Sequence, residues 1–419
     1  MIRLTRTVLM LVAIGVGVGT GTTRASAGEA PVVFQTAGKH LAEAKARYQS
    51  GDATAAKWVR KIAEEADKAL EFKPISVMDK PYTPPSGDKH DYMSLSPYWW
   101  PDPSKPDGKP FIRKDGEINP DRVKYDLQPM EDMAKAVEQL ALAYYFTEDE
   151  KYAQHAAQLI RTWFIDPQTR MNPNVKFAQF VPGVEEEARA AGIIETNRIR
   201  KVVDADGLLQ GSQSWTSEDS TKLKGWFGEY LDYLLTSEQG IKEANAANNH
   251  GTWYGVQTAT YALFTGNEEL AKKLIQEHGF DRVARQIEPD GKQPEELART
   301  NAYDYSRYNI LAFEELAMLG ERLGMDLWNY KTEDGRSLRQ AIDWLLPYAT
   351  QEKKWEYQQI KPPKMKETAT VLRRAANAYS EPKYEQAISK LPDIEGPTMM
   401  TELYFPSRLN GGGKQASSR

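Results

Sequence analysis

The chain of 419 residues contains no cysteine. That absence excludes disulfides, thiolate metal sites and a cysteine nucleophile, so stability must come from a buried core. Histidine is scarce, with five in all. His40, His90, His155 and His278 stand apart, without the His-Glu-x-x-His spacing of a helical zinc site, and no metal or cofactor is expected. Positive charge is not in excess either: the formal net charge is −5 and the pI near 5.8. Nucleic acid is therefore not an expected partner, and an anionic ligand would need a local basic groove. Long hydrophobic runs are also missing. The one sustained apolar stretch, Val8 to Val18, falls short of the ~20 residues that span a bilayer.

That stretch follows Arg3 and Arg6 and precedes Ala25-Ser26-Ala27, the charged, apolar and small-residue order of a secretory signal. The expectation is a signal peptide over 1–27, cut after Ala27, and a periplasmic or secreted protein with no membrane attachment after its removal. A single domain should fill 28–410, and the Gly-rich tail 411–419 should be disordered.

Within the domain, apolar residues recur at helical spacing: Met133, Val137, Leu140 and Tyr144; Tyr152, Ala156, Leu159 and Trp163; Leu223, Phe227, Tyr230 and Leu234. Further stripes run through Trp253, Val256 and Leu263, through Leu338, Ile342 and Leu345, and through Leu372, Ala375 and Tyr379. No comparable series of alternating strands is present, so the fold should be all-α. Ala143-Tyr-Tyr-Phe-Thr-Glu-Asp-Glu-Lys-Tyr-Ala153 is echoed by Tyr261-Ala-Leu-Phe-Thr-Gly-Asn-Glu-Glu-Leu-Ala271. One helical hairpin used twice suggests a solenoid, open or closed into a toroid. Two Pro-rich aromatic stretches, 73–121 and 165–212, read as long ordered loops.

Three constellations carry chemistry. In Asn245-Ala-Ala-Asn-Asn-His-Gly-Thr-Trp-Tyr254, the amides Asn248 and Asn249 and the imidazole of His250 stand before an amphipathic helix. One Asn can cap that helix; the rest are surplus to capping, and helix N-termini favour carboxylates. In Glu296-Leu-Ala-Arg-Thr-Asn-Ala-Tyr-Asp-Tyr-Ser-Arg-Tyr308, Asp304 or Ser306 can cap the next helix. Tyr305 would then lie in its first turn, where the helix end, Arg299 and Arg307 would all favour a phenolate. The plain alternative is that these tyrosines pack in the core. The third is Asp91-Tyr-Met-Ser-Leu-Ser-Pro-Tyr-Trp-Trp-Pro-Asp-Pro103, where Tyr98, Trp99 and Trp100 cannot all face one core, and His90 precedes them. At least one aromatic there should be a sugar-stacking platform.

Four blocks, Pro97 to Pro103, Met171-Asn-Pro-Asn174 with Gln179, Asn248 to Trp253, and Arg299 to Ser306, together resemble the alginate lyase superfamily, most closely its larger bacterial branch of mannuronate-specific alginate lyases and glucuronan lyases. The resemblance implies an (α/α) toroid, an incomplete helical barrel with a groove across one end, and metal-independent β-elimination on a polyuronate. It also implies Asn249 and His250 as amide and imidazole of the site, Arg299 as its cation and Tyr305 as its proton-transfer residue. Substrate contacts are expected from Tyr98, Trp99, Trp100, His90, Gln179, Asn248, Tyr303 and Arg307.

The chemistry agrees with those residue types. Removing the C5 proton of a uronate places more charge beside a carboxylate, so that group must be neutralised first. A tyrosine titrates near ~10, and must be shifted down to accept the proton. In mannuronate and glucuronate the C5 hydrogen and O4 lie on one side, and Tyr305 alone could serve as base and acid. In guluronate they are anti, and His250 would be the base. Competing readings are a toroidal glycoside hydrolase with paired carboxylates and a non-catalytic polyuronate-binding protein.

Overall fold

The computed structural model describes residues 30–114, 117–184 and 189–408. The expected signal peptide with its cut after Ala27, and the tail 411–419, lie outside them. The stripes read from the sequence are helices. They include α1 (Gly38–Gln49), α2 (Ala53–Ala69), α3 (Leu127–Thr147), α4 (Glu150–Ile160), α5 (Arg200–Leu208), α6 (Ser217–Thr236), α7 (Glu238–Ala244), α8 (Asn249–Phe264) and α9 (Glu268–Ile275). After the short α10 (Asp281–Gln286) and α11 (Pro294–Leu297) come α12 (Ala302–Glu321), α13 (Leu338–Ala349), α14 (Met365–Tyr379), α15 (Pro382–Ile388) and α16 (Met399–Tyr404).

An all-α toroid results. Helices α2, α3, α5, α8, α12 and α14 touch in succession, with α4 laid on α3, α6 and α9 on α8, and α13 on α12 and α14. The core runs without a break from Val33 to Leu403. Helix α8 is buried nearly all round, which explains its weak amphipathicity and its buried threonines and glutamine. Most of those polar atoms find partners, the Gln257 Nε2 excepted: Thr196 Oγ1 donates to Gln257 Oε1 at 2.8 Å, and Thr258 and Thr260 bond back to carbonyls of their own helix. The segment before α1 joins α5, in the middle of that succession, to α16. Asp204 accepts the amides of Phe34 and Gln35 at 2.6 and 3.1 Å, and Thr36 donates to the carbonyl of Tyr404 at 2.6 Å.

The echoed motif is the same hairpin twice, α3–α4 and α8–α9. In each copy a Thr closing the first helix bonds back four residues, Thr147 to Ala143 and Thr265 to Tyr261. The next residue turns left-handed, Glu148 at φ 60° and Gly266 at φ 82°, and Asp149 or Asn267 caps the second helix.

Two expectations are corrected. The stretch 165–212 is not a loop throughout: a 3₁₀ helix at Ala190–Ile199 runs straight into α5. Its pattern was obscured because α5 buries both faces, Arg200, Asp204 and Asp206 included. And α12 is not capped by Asp304 or Ser306, for it begins at Ala302. The turn before it is held instead from outside, by Ala302 N–H donating to Gln358 O at 3.0 Å and Ile360 N–H to Thr300 O at 3.0 Å.

The stretch 73–121 is largely irregular but carries β1 (Met93–Leu95), β2 (Trp99–Trp100) and β3 (Ile112–Arg113). β2 pairs antiparallel with β3, and β1 pairs parallel with β4 (Phe177–Phe180). A buried ion pair, Lys80 with Asp126 at 3.0 Å, anchors this region to the start of α3, while Asp126 also accepts the Met93 amide at 2.8 Å. Burial holds the Asp126 carboxyl up at about 6 and moves the Lys80 amine down, so desolvation outweighs the mutual attraction at both partners.

Candidate active site

A cavity of about 280 Å³ opens where the N-termini of α8 and α12 meet β4 and the 3₁₀ helix before α5. Asn249, His250 and Tyr305 all line it, as does Gln179. Two blocks distant in sequence therefore converge on one site.

Each side chain has a local reason for its place. Asn248 is the N-cap of α8, its Oδ1 accepting the His250 amide at 3.2 Å. Its role is capping, as the simpler reading of the sequence allowed. Asn249, 1% exposed, is fixed by Glu296, which accepts its backbone N–H at 2.5 Å and its Nδ2–H at 2.7 Å. Burial pushes the Glu296 carboxyl up to about 7, against the lowering by these two hydrogen bonds and by Arg299 and His250. His250 Nδ1 lies 2.6 Å from Glu243 Oε1 at the end of α7. Tyr305 is half-buried in the first turns of α12, its amide bonded to the Asn301 carbonyl at 3.0 Å. The guanidinium of Arg299 sits over its ring, 3.9 Å from the centroid.

Gln179 reaches the cavity through a bulge. In the β1–β4 pair, Met93 faces Phe177 and Leu95 faces Phe180, so β4 carries one residue too many, and Gln179 takes φ 51°. Such a bulge re-aims a side chain. A non-glycine in the left-handed region stores strain that surrounding contacts must hold. Here the Gln179 amide donates to Ser94 Oγ at 2.7 Å, and Ser94 Oγ in turn donates to Glu195 at 2.5 Å.

Residues the sequence reading did not single out complete the walls. Arg122 and Arg198 supply cations, each beside a carboxylate: Arg122 with Glu195 at 3.5 Å and Arg198 with Glu131 at 3.5 Å. Glu195 is buried, and burial raises its pKa despite bonds from Ser94 and Tyr92. Asn197 and Tyr308 also line the cavity. Tyr308 closes the Glu296–Tyr308 motif, whereas Asn197 and Arg198 lie in the 165–212 stretch, whose sequence shows no one-sided stripe.

Two expected contacts are corrected by burial, Tyr303 and Arg307, and others do not line this cavity. Tyr303, 2% exposed, points into the core with its hydroxyl 3.2 Å from Thr368, and burial raises it to about 12. Successive helical residues face different ways, so Tyr303 and Tyr305 cannot share the cavity. Arg307, 4% exposed, is buried beside Asp304 at 3.7 Å and does not line it. His90 bonds the Arg170 carbonyl at 2.7 Å, away from the cavity. Tyr98, Trp99 and Trp100 are half-buried in and beside the β2–β3 hairpin, outside the cavity lining. Trp100 donates to the Glu117 carbonyl at 3.1 Å, and Lys114 covers its ring at 4.8 Å. Among the described residues no cluster of three or more His, Asp or Glu side chains could hold a metal ion, and no helix is long and apolar enough to cross a membrane.

Residues 76–355 match the model of the family described as alginate lyase. An alginate lyase from Bacteroides ovatus is 42% identical, with a TM-score of 0.84 over 90% of this chain and 99% of that one. Alginate lyase A1-III from Sphingomonas species A1 shares the fold at 14% identity and a TM-score of 0.56, covering 92% of this chain and 99% of that one. A form of alginate lyase A1-III complexed with a tetrasaccharide aligns at 15% identity and a TM-score of 0.54, over 87% and 92%. No curated protein sequence matches the chain.

Proposed function

The chain belongs to the alginate lyase family and is a polysaccharide lyase, and on that premise we propose that it cleaves mannuronate-rich alginate by β-elimination, with Tyr305 as the proton-transfer residue. The observation that carries this reading is the convergence of Tyr305, Asn249 and His250 on one cavity, with Arg299 against the phenol ring.

A uronate seated there has its carboxylate toward the N-terminus of α8. The Asn249 side-chain amide offers an N–H where the enolate develops, and an imidazolium at His250 would add Nε2–H and charge there in the mannuronate reaction; donors fixed beforehand stabilise that charge without reorganising. Glu296 keeps the Asn249 amide in one orientation. The Arg299 guanidinium favours charge on the Tyr305 oxygen, so the phenolate can accept H5. In mannuronate the same oxygen then returns the proton to O4 as the C4–O4 bond breaks and the C4=C5 double bond forms. In guluronate, where the groups are anti, His250 takes H5 and Tyr305 protonates O4. Arg122 and Arg198 put guanidinium groups in the cavity wall that can meet an anionic sugar, although Glu195 and Glu131 beside them offset part of the charge. The reading includes export: the basic start, the apolar run and Ala25-Ser26-Ala27 have the order of a cleavable signal, and the protein acts in the periplasm or outside the cell after removal of 1–27.

The test is ultraviolet absorbance of the unsaturated uronate on polymannuronate, polyguluronate and glucuronan, repeated with a chelator. The expected result is fastest production on polymannuronate, unchanged by chelation. Fastest turnover of glucuronan would reassign the substrate, and reducing ends without absorbance would make the enzyme a hydrolase.

A further inference from the structure

His250 has a partner that the elimination scheme has not used. Glu243, in the last turn of α7, is 3% exposed and places Oε1 2.6 Å from His250 Nδ1. The turn carrying both residues is clamped. Arg282, 4% exposed, donates to the Ala246 carbonyl at 2.7 Å and to the Ala244 carbonyl. Gly251 leaves room for this: a Cβ there would meet the Arg282 guanidinium at 2.1 Å. The His250 amide is itself held by the cap residue. The imidazole is thus fixed at its backbone and at one ring nitrogen, and Nε2 is the nitrogen left for the cavity that the ring lines.

We infer that Glu243 is a positioning residue for the elimination: it binds the Nδ1 proton of His250, so the neutral ring presents the lone pair of Nε2 to the sugar. The inference rests on the lyase reading and deepens it. A carboxylate accepts hydrogen bonds and does not donate them, so the proton of the neutral ring belongs on Nδ1. In the other tautomer Nε2 would carry hydrogen and could take none from C5. With Nε2 free, the H5 proton of guluronate passes to it, and the C5 electron pair becomes the C4=C5 bond. The C4–O4 bond breaks, and O4 takes the Tyr305 proton. The neighbouring Asn249 is held by a different carboxyl, Glu296. Two adjacent residues thereby receive separate tasks from separate supports.

Long-range nitrogen–proton NMR of the labelled protein at alkaline pH reads the tautomer directly, the His250 signal being the one lost in His250→Ala. Wild type should show Nδ1–H, and Glu243→Gln should move the population toward Nε2–H. Turnover of polyguluronate by Glu243→Gln should fall at least about tenfold with KM little changed, more than turnover of polymannuronate, where Tyr305 takes H5, and Glu243→Asp should recover part of the loss. An Nε2–H tautomer in wild type, or an unchanged tautomer or wild-type turnover in a folded Glu243→Gln protein, overturns the inference. If Glu243→Gln fails to fold, the wild-type tautomer alone decides. If wild type makes no unsaturated product, the lyase reading falls, while the NMR result still decides where the proton sits.

Discussion

At the residue scale, Glu296 links site chemistry to stability. Its carboxyl is raised from 4.5 to about 7 by burial. Between those values the folded state holds a proton that the unfolded state has released, so stability falls as pH rises through the window. Glu296→Gln removes that slope. Urea unfolding at pH 5 and pH 8 should show wild type losing stability relative to the variant, and a parallel response of the two proteins would contradict the assignment. The residues proposed for the chemistry were legible because each combined rarity with position. His250 is one of few histidines, and Tyr305 sits beside Arg299 ahead of an apolar stripe. Glu243 and Glu296 were not legible, since a carboxylate on a helix face looks solvated until the fold buries it. Tyr303 shows the opposite failure: two residues from Tyr305, it has the same chemistry and the wrong face.

At the scale of elements, the site depends on the β1–β4 pair, whose bulge delivers Gln179, and on what anchors β1. Asp126 joins Lys80, the Met93 amide and the start of α3. Asp126→Ala would leave the Lys80 ammonium buried without a counter-charge, a loss of about 3–5 kcal/mol. Chemical denaturation should show a loss of that order, with turnover impaired in the surviving folded protein. A loss below ~1 kcal/mol, the range of a surface pair, would contradict this account. The amphipathic helices and the repeated hairpin could be read from spacing, because both are local. Helix α5 and the bulge could not. The first is buried on more than one face and so shows no stripe, and the second exists only through a pairing between segments far apart in sequence.

At the scale of the whole molecule, the toroid brings together chain segments that the sequence keeps apart. The N-terminus of α8 and that of α12 meet because the two helices pack along each other. Hydrogen bonds from the segment before α1 to Asp204 on α5 and to Tyr404 on α16 hold mid-ring and C-terminal helices together. The all-α class followed from periodicity, and the toroid from resemblance in four short blocks. Neither could place Arg122 and Arg198, whose nearness to the site is a product of the ring itself.

The central claim is that the Tyr305 hydroxyl moves the proton. Tyr305→Phe removes one oxygen and leaves the ring under Arg299. The decisive measurement pairs its turnover of polymannuronate, followed by ultraviolet absorbance, with its affinity for a mannuronate oligomer. Turnover should drop at least about a hundredfold with affinity retained. Turnover close to wild type would contradict the account.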